Sequence, residues 1–316
     1  MEKLMNVSSS PHFRNKTNTQ SIMLDVILAM VPASAVAVYR FGFYALAIIA
    51  VTVASCVVSE YLWNRLMKKT QTVGDLSAVV TGLILALNMP PEIPLWVPAI
   101  GGVFAIIVVK QLYGGIGQNF MNPALAARCF LLISFAGLMN NFNSAYAGFD
   151  ALTSATPLAA MQAGTSRYTT LDLFLGNIPG TIGEVSKLAL LVGAAYLAIN
   201  KVISLRIPAA YLAVFSVFVL IFKGGDFSYL LYELLSGGLI FGAFFMATDY
   251  ATSPITKKGQ YVYGAVLGIF TGVFRLFGGS PEGVSYAIIL SNLLVPLIEK
   301  YTMPKAFGKG GKKTWM

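Results

Sequence analysis

Long apolar runs separated by short polar breaks occupy the chain from residue 22 onward. Ten can be drawn, at about 22–39, 41–63, 76–89, 95–113, 122–138, 186–202, 207–223, 229–247, 260–277 and 283–300. A helix needs about 20 apolar residues to cross the hydrocarbon core of a bilayer. The pattern therefore predicts an all-α polytopic membrane protein with about ten transmembrane helices. The third run is short for a full span and the fifth contains Arg128, so broken or tilted segments are expected there.

Composition narrows the picture. Of 316 residues, 56% are hydrophobic and 11% charged, whereas ordinary soluble domains carry roughly 25% charged residues. Too little charge is left to cover a soluble surface of this size, which excludes a soluble globular enzyme and a disordered chain. The net charge of +9 does not indicate nucleic-acid binding, because Lys and Arg are scattered at segment ends. Sixteen of them fall on the side of the bundle that holds both termini and six on the other. The positive-inside rule then places both termini in the cytoplasm. The predicted organisation is a cytoplasmic tail at 1–21, five helices in 22–138, an extracytoplasmic loop at 139–185, five more helices in 186–300, and a basic, lipid-facing cytoplasmic tail at 301–316.

Two Cys residues, Cys56 and Cys129, lie in apolar runs, and His12 is the one histidine. No C-x-x-C and no His pair exists, so the chain cannot by itself hold a zinc site, a bis-His haem or a four-Cys cluster. Any redox cofactor is organic or shared with a partner.

The two halves resemble each other. Gln111-Leu112-Tyr113-Gly114-Gly115 reads like Arg275-Leu276-Phe277-Gly278-Gly279, and Thr81-Gly82-Leu83-Ile84 like Gly237-Gly238-Leu239-Ile240. Five spans per copy force the copies into opposite orientations, so two inverted five-helix repeats are expected, with a substrate, ion or cofactor site near the midplane. Recurrence of Gly-rich turns by chance is the alternative. Gly114-Gly115-Ile116-Gly117 lacks the third glycine and the strand–turn–helix setting of a dinucleotide fingerprint. A break between half-helices suits it better, and the nearby Asn119 and Asn122 could present amides to a ring or an ion.

The long loop contains Asp150-Ala151-Leu152-Thr153-Ser154-Ala155-Thr156-Pro157. From chemistry alone these are turn residues before a proline. The pattern D-x-x-[ST]-[SG]-A-T nevertheless resembles the flavinylation motif of the RnfD family, the D subunits of Rnf electron-transport complexes, and of the related B subunit of the sodium-pumping NADH:quinone reductase. Ser9-Ser10-Pro11-His12, Lys110 to Asn119 with Asn122-Pro123-Ala124, Ala247-Thr248-Asp249, and Arg275 to Gly279 resemble the same family in the same order. The likeness runs over nearly the whole chain. It looks closer to RnfD, since the long N-terminal extension of the quinone-reductase chain is missing, and it departs from the usual Asp-Pro step at Asp249-Tyr250.

The resemblance implies FMN bound covalently to Thr156 by a phosphoester, installed by a flavin transferase that reads Asp150, Ser154 and Ala155. It also implies other membrane, iron–sulfur and flavin subunits as partners, a noncovalent riboflavin or second FMN, and coupling of electron flow to Na⁺ or H⁺ movement across a prokaryotic cytoplasmic membrane. The chemistry is consistent: a Thr hydroxyl can form a phosphoester, Ser154 can hydrogen-bond a phosphate oxygen, and Pro157 fixes the chain after the attachment point.

Charged groups inside spans are costly and often functional. Asp25, Glu60 and Glu282 lie near predicted ends, where water can reach them. Lys110 and Arg275 stand one residue apart in the repeat alignment; they could pair with acids, hold a flavin phosphate or ring carbonyl, or snorkel to headgroups. Asp249, beside Thr248, Thr252 and Ser253, is a candidate for ion handling or for lining a flavin site. Asp25, Asp249 and Glu282 form the expected ion pathway. On topology alone, a secondary transporter or channel with inverted repeats and no redox role fits equally well.

Overall fold

The computed structural model describes residues 18–142, 157–162, 168–278 and 283–304. Every regular element among them is helical. In order they are α1 (Thr19–Phe41), α2 (Phe43–Leu66), α3 (Ser77–Leu87), α4 (Trp96–Phe104, continued as a π-helical stretch Ala105–Gln111) and α5 (Pro123–Ser134). Three short helices follow, α6 (Ala136–Met139), α7 (Pro157–Gln162) and α8 (Thr170–Leu175). The second half comprises α9 (Lys187–Ile199), α10 (Arg206–Phe222), α11 (Phe227–Leu235), α12 (Leu239–Met246, ending in a π-helical stretch), α13 (Lys257–Phe277) and α14 (Val284–Thr302).

Each of the ten apolar runs falls on a helix or a helix pair, but they differ in reach. Four helices, α1, α2, α13 and α14, are long and apolar enough to cross a membrane, and α11 with α12 makes a fifth candidate bent by 66°. The chain is a multi-pass membrane protein. The other apolar helices have 10–17 residues. At 1.5 Å per residue, the 11 residues of α3 extend only about 16 Å, half of a hydrocarbon core.

Close packing relies on small residues. Along α13, a Cβ on Gly264 or Gly268 would come within 2.8 Å of backbone atoms of α10, so the two helices run nearly backbone to backbone. The same holds where α1 crosses α9: a Cβ on Gly193 would collide with the Ala29 carbonyl. Without an aqueous hydrophobic drive between helices, such approaches supply the dispersion contacts that hold them together. Within the first half α2 packs on α3 and α4, and within the second α10 packs on α13; between halves α1 meets α9 and α5 meets α14.

Backbone outside helices is buried only where it is satisfied. The carbonyls at the end of α3 are taken by a strap running into α9: Ile182 N–H donates to Met89 O (2.9 Å) and Gly183 N–H to Leu87 O (2.7 Å). Gly183 is required, because a Cβ there would collide with that of Leu87. The expected loop at 139–185 is thus not surface throughout. Residues 180–185 are buried among α3, α9 and the bend between α11 and α12. The strap pairs backbone groups that an exposed loop would leave to water.

Candidate functional site

An open cleft lies between the start of α1, the starts of α3 and α5, and the turn after α12. Its walls are mostly apolar, with Ile22, Val26, Val80 and Phe244 among them. A few polar side chains converge on it, namely Lys110, Asn119, Asn122, Thr248 and Asp249. Apolar walls with a few placed polar groups are the usual make-up of a cofactor pocket.

Each polar group is held by its element. Asn122 caps α5, its Oδ1 accepting from the Ala124 and Leu125 N–H groups, and its amide nitrogen reaches Met246 O at 3.4 Å. Asn119 donates to Met121 O (3.0 Å). Gly114, Gly115 and Gly117 all have positive φ, so the Gly-rich stretch is a turn joining α4 to α5. Asp249 accepts from Thr252 Oγ1 (3.0 Å). Asp25 is half-buried on α1 and accepts from the Tyr196 hydroxyl (3.0 Å).

Behind the cleft, Lys110 is fixed. Its ammonium donates to both Glu60 carboxylate oxygens (2.9 and 3.0 Å) and to Ser77 Oγ, while Gln111 and Thr72 also donate to Glu60. Its three protons are thereby engaged. Glu60 does not reach water, as its position near a span end suggested; it is fully buried, because the ion pair replaces the hydration it loses. Arg275 is likewise buried, bonded to the carboxylate (2.9 Å) and carbonyl of Glu233 and to Ser236 O (3.0 Å). Both cations therefore pair with acids and neither snorkels. Arg128 is buried too, donating to Asn88 and Ser285 (2.9 and 2.8 Å), which ties α5 to the end of α3 and to α14.

A second polar cluster lies at the opposite ends of α3 and α12. The Lys187 ammonium donates to Glu184 O and to Gly237 O. Glu184 Oε1 accepts from the Thr181 N–H at 3.3 Å, and its Oε2 lies 2.6 Å from where a Cβ on Gly238 would stand. Sequence alone does not single out Glu184, Lys187 or Glu233, since the first two read as loop and loop-end charges. The spacing Glu184-x-x-Lys187, together with a later Gly-Gly step, is the available signal.

Asp150, Ser154, Ala155, Thr156 and Glu282 lie outside the described residues, as does His12. Among the described residues no three of His, Cys, Asp and Glu stand together as a metal-binding group.

Comparison with known proteins bears on this arrangement. The profile of the NQR2, RnfD, RnfE family matches residues 6–308. The chain belongs to this family. It is 51% identical over 309 residues to the D subunit of the Na(+)-translocating ferredoxin:NAD(+) oxidoreductase complex of Acetobacterium woodii, covering 96% of this chain and 95% of that one. It is 38% identical to the D subunit of the proton-translocating ferredoxin:NAD(+) oxidoreductase complex of Clostridium ljungdahlii, with 97% of both chains covered. The D subunit of an ion-translocating oxidoreductase complex from Actinobacillus succinogenes is 35% identical, over 97% of this chain and 99% of that one. Because family membership spans both helical halves, the cleft, the two buried ion pairs and the strap all lie inside the related region.

Proposed function

We propose that this chain is the D subunit of an ion-translocating ferredoxin:NAD⁺ oxidoreductase complex, carrying FMN on Thr156 and helping to couple electron transfer to movement of Na⁺ or H⁺. The observation that carries the reading is the full-length relationship to D subunits of such complexes, at 51% identity to one of them, together with the Asp150–Thr156 motif. The chain acts with other subunits of the complex and is matured by a flavin transferase. Ten helical segments form two inverted five-helix halves, at 22–138 and 186–300. Contacts of α1 with α9 and α5 with α14 support this, since elements at the same place in each half meet across the middle. Both termini lie in the cytoplasm and the 139–185 loop outside it.

FMN bound at Thr156 supplies redox chemistry at its ring; the protein's part is to tether it, so that the local flavin concentration never depends on free FMN. The cleft suits a noncovalent riboflavin or second FMN. Its apolar walls match a flat ring, and the Asn119 and Asn122 amides can meet ring carbonyls and nitrogens. Lys110, with its protons engaged by Glu60 and Ser77, acts there through its charge and by holding α4 to α2. Asp249, which lines the cleft, is assigned with Asp25 and Glu282 to the ion pathway.

The test is in-gel flavin fluorescence of the denatured chain made in a host that has the transferase. The wild-type band fluoresces and the Thr156→Val band does not. No fluorescence from wild type overturns the covalent FMN, and unchanged fluorescence from the variant moves it to another residue. A transporter without a redox role would give no fluorescent band.

A further inference from the structure

We propose that the strap Thr181–Lys187 and the glycine break between α11 and α12 form a binding site for a small monovalent cation, Na⁺, with Glu184 as its charged ligand. The proposal rests on the coupling role given above for its purpose, but its site is built from residues that the reading did not use.

Buried side-chain polar atoms are nearly always hydrogen-bonded, and exceptions mark places where something else meets the need. Four buried side-chain oxygens in this neighbourhood have no hydrogen-bond partner among the described residues: Thr181 Oγ1, Glu184 Oε2, Glu233 Oε1 and Ser236 Oγ. Thr181 is 1% exposed, Glu184 3%, and Glu233 and Ser236 are fully buried. They are adjacent by several links. Glu184 Oε2 abuts Gly238, and Lys187 bonds the strap to Gly237 O. Arg275 bonds Glu233 and Ser236 O from the far side.

The chemistry selects the ligand. A carboxylate oxygen buried without a donor costs several kcal/mol, so a positive charge belongs beside it. The Lys187 ammonium is directed at two backbone carbonyls, and Arg275 at the Glu233 carboxylate and carbonyl and at Ser236 O. A carboxylate and hydroxyls, all oxygen, are the ligand set of a hard cation. The position is apt as well. α12 begins at this cluster and ends three residues before Asp249, and its eight residues span about 12 Å. Lys187 and Arg275 nearby keep the affinity modest, as a transit site requires if the ion is to leave again.

The experiment is thermal unfolding of the purified full chain in detergent, with NaCl titrated against KCl and choline chloride at constant ionic strength. Na⁺ raises the wild-type midpoint by several degrees beyond the other two salts. Glu184→Gln abolishes that difference, and Thr181→Val or Ser236→Ala raises the half-saturating Na⁺ concentration about tenfold. Glu92→Gln, an exposed carboxylate elsewhere, leaves it unchanged. If Glu184→Gln fails to fold, the other two variants carry the test, and unchanged half-saturation in both overturns the site. Equal response of wild type to all three salts, or a response to pH alone, overturns it too. Gel fluorescence keeps the outcomes apart: a fluorescent wild type with no Na⁺ response rejects this site alone, and a Na⁺ response without fluorescence rejects the flavin reading alone.

Discussion

At the scale of single residues, burial decides what each charge does. Glu60 and Lys110 are both buried, and each is tolerable there only with the other. Removing one partner leaves an uncompensated buried charge. Glu60→Gln is expected to destabilise the chain by about 3–5 kcal/mol, read as a lower unfolding midpoint in detergent. Replacing both residues by Met recovers most of that loss. Equal damage from the single and double variants would show that the pair is not the cause. Asp249 has the opposite character. It lines the open cleft and accepts from Thr252 rather than from a cation. In the assembled complex Asp249→Asn is expected to keep covalent flavin while ion-coupled turnover falls. Unchanged sodium-linked turnover in vesicles would contradict this account of Asp249.

At the scale of elements, glycine spacing sets how close helices lie. Gly268 faces the Phe215 N and Tyr211 O of α10, each within 2.9 Å of an added Cβ. Neither backbone atom can move aside as a flexible side chain would. Gly268→Val must therefore push α13 from α10, at a cost of about 1–3 kcal/mol or more, and yields chain that unfolds several degrees earlier or aggregates on size-exclusion chromatography. Gly74→Val, where an added Cβ meets nothing within 4 Å, leaves the elution profile as it was. Loss of monodispersity in both variants would remove the packing argument. The π-helical ends of α4 and α12 belong to this scale as well. They place Lys110 at Glu60 and bring α12 round to the turn that carries Asp249, and such stretches often occur at functional positions.

At the scale of the whole molecule, the distribution of Lys and Arg predicts which side each loop faces. Cys56 and Cys129 are buried, so a single introduced cysteine can report its side without background. Leu171 is 71% exposed on α8 in the long loop. Leu171→Cys is expected to react with a membrane-impermeant maleimide in intact cells, and Lys257→Cys only in inverted vesicles. The reverse pattern would overturn the orientation. The cleft and the strap cluster lie at opposite ends of α3 and α12. A ligand bound at one is therefore joined to the other by two short, buried helices.

Much was legible from the chain alone. Apolar runs long enough for a bilayer required helices, since lipid offers backbone groups no other partner. Each of the ten runs falls on a helix or a helix pair, although only four helices and one bent pair are long and apolar enough to cross a membrane. The family was legible too, because strings such as Lys110–Asn119 and Asp150–Thr156 are specific whatever their surroundings. Tertiary structure alone decided which charges are buried and with what. Glu60, from α2, finds Lys110 50 residues away, and Glu233 finds Arg275 42 residues away, and neither distance has a helical or strand period to reveal it. It also turned the end of a loop into a buried strap. The sequence placed these residues in the long 139–185 loop; the carbonyls at the end of α3, which need donors from elsewhere in the chain, draw residues 180–185 inside.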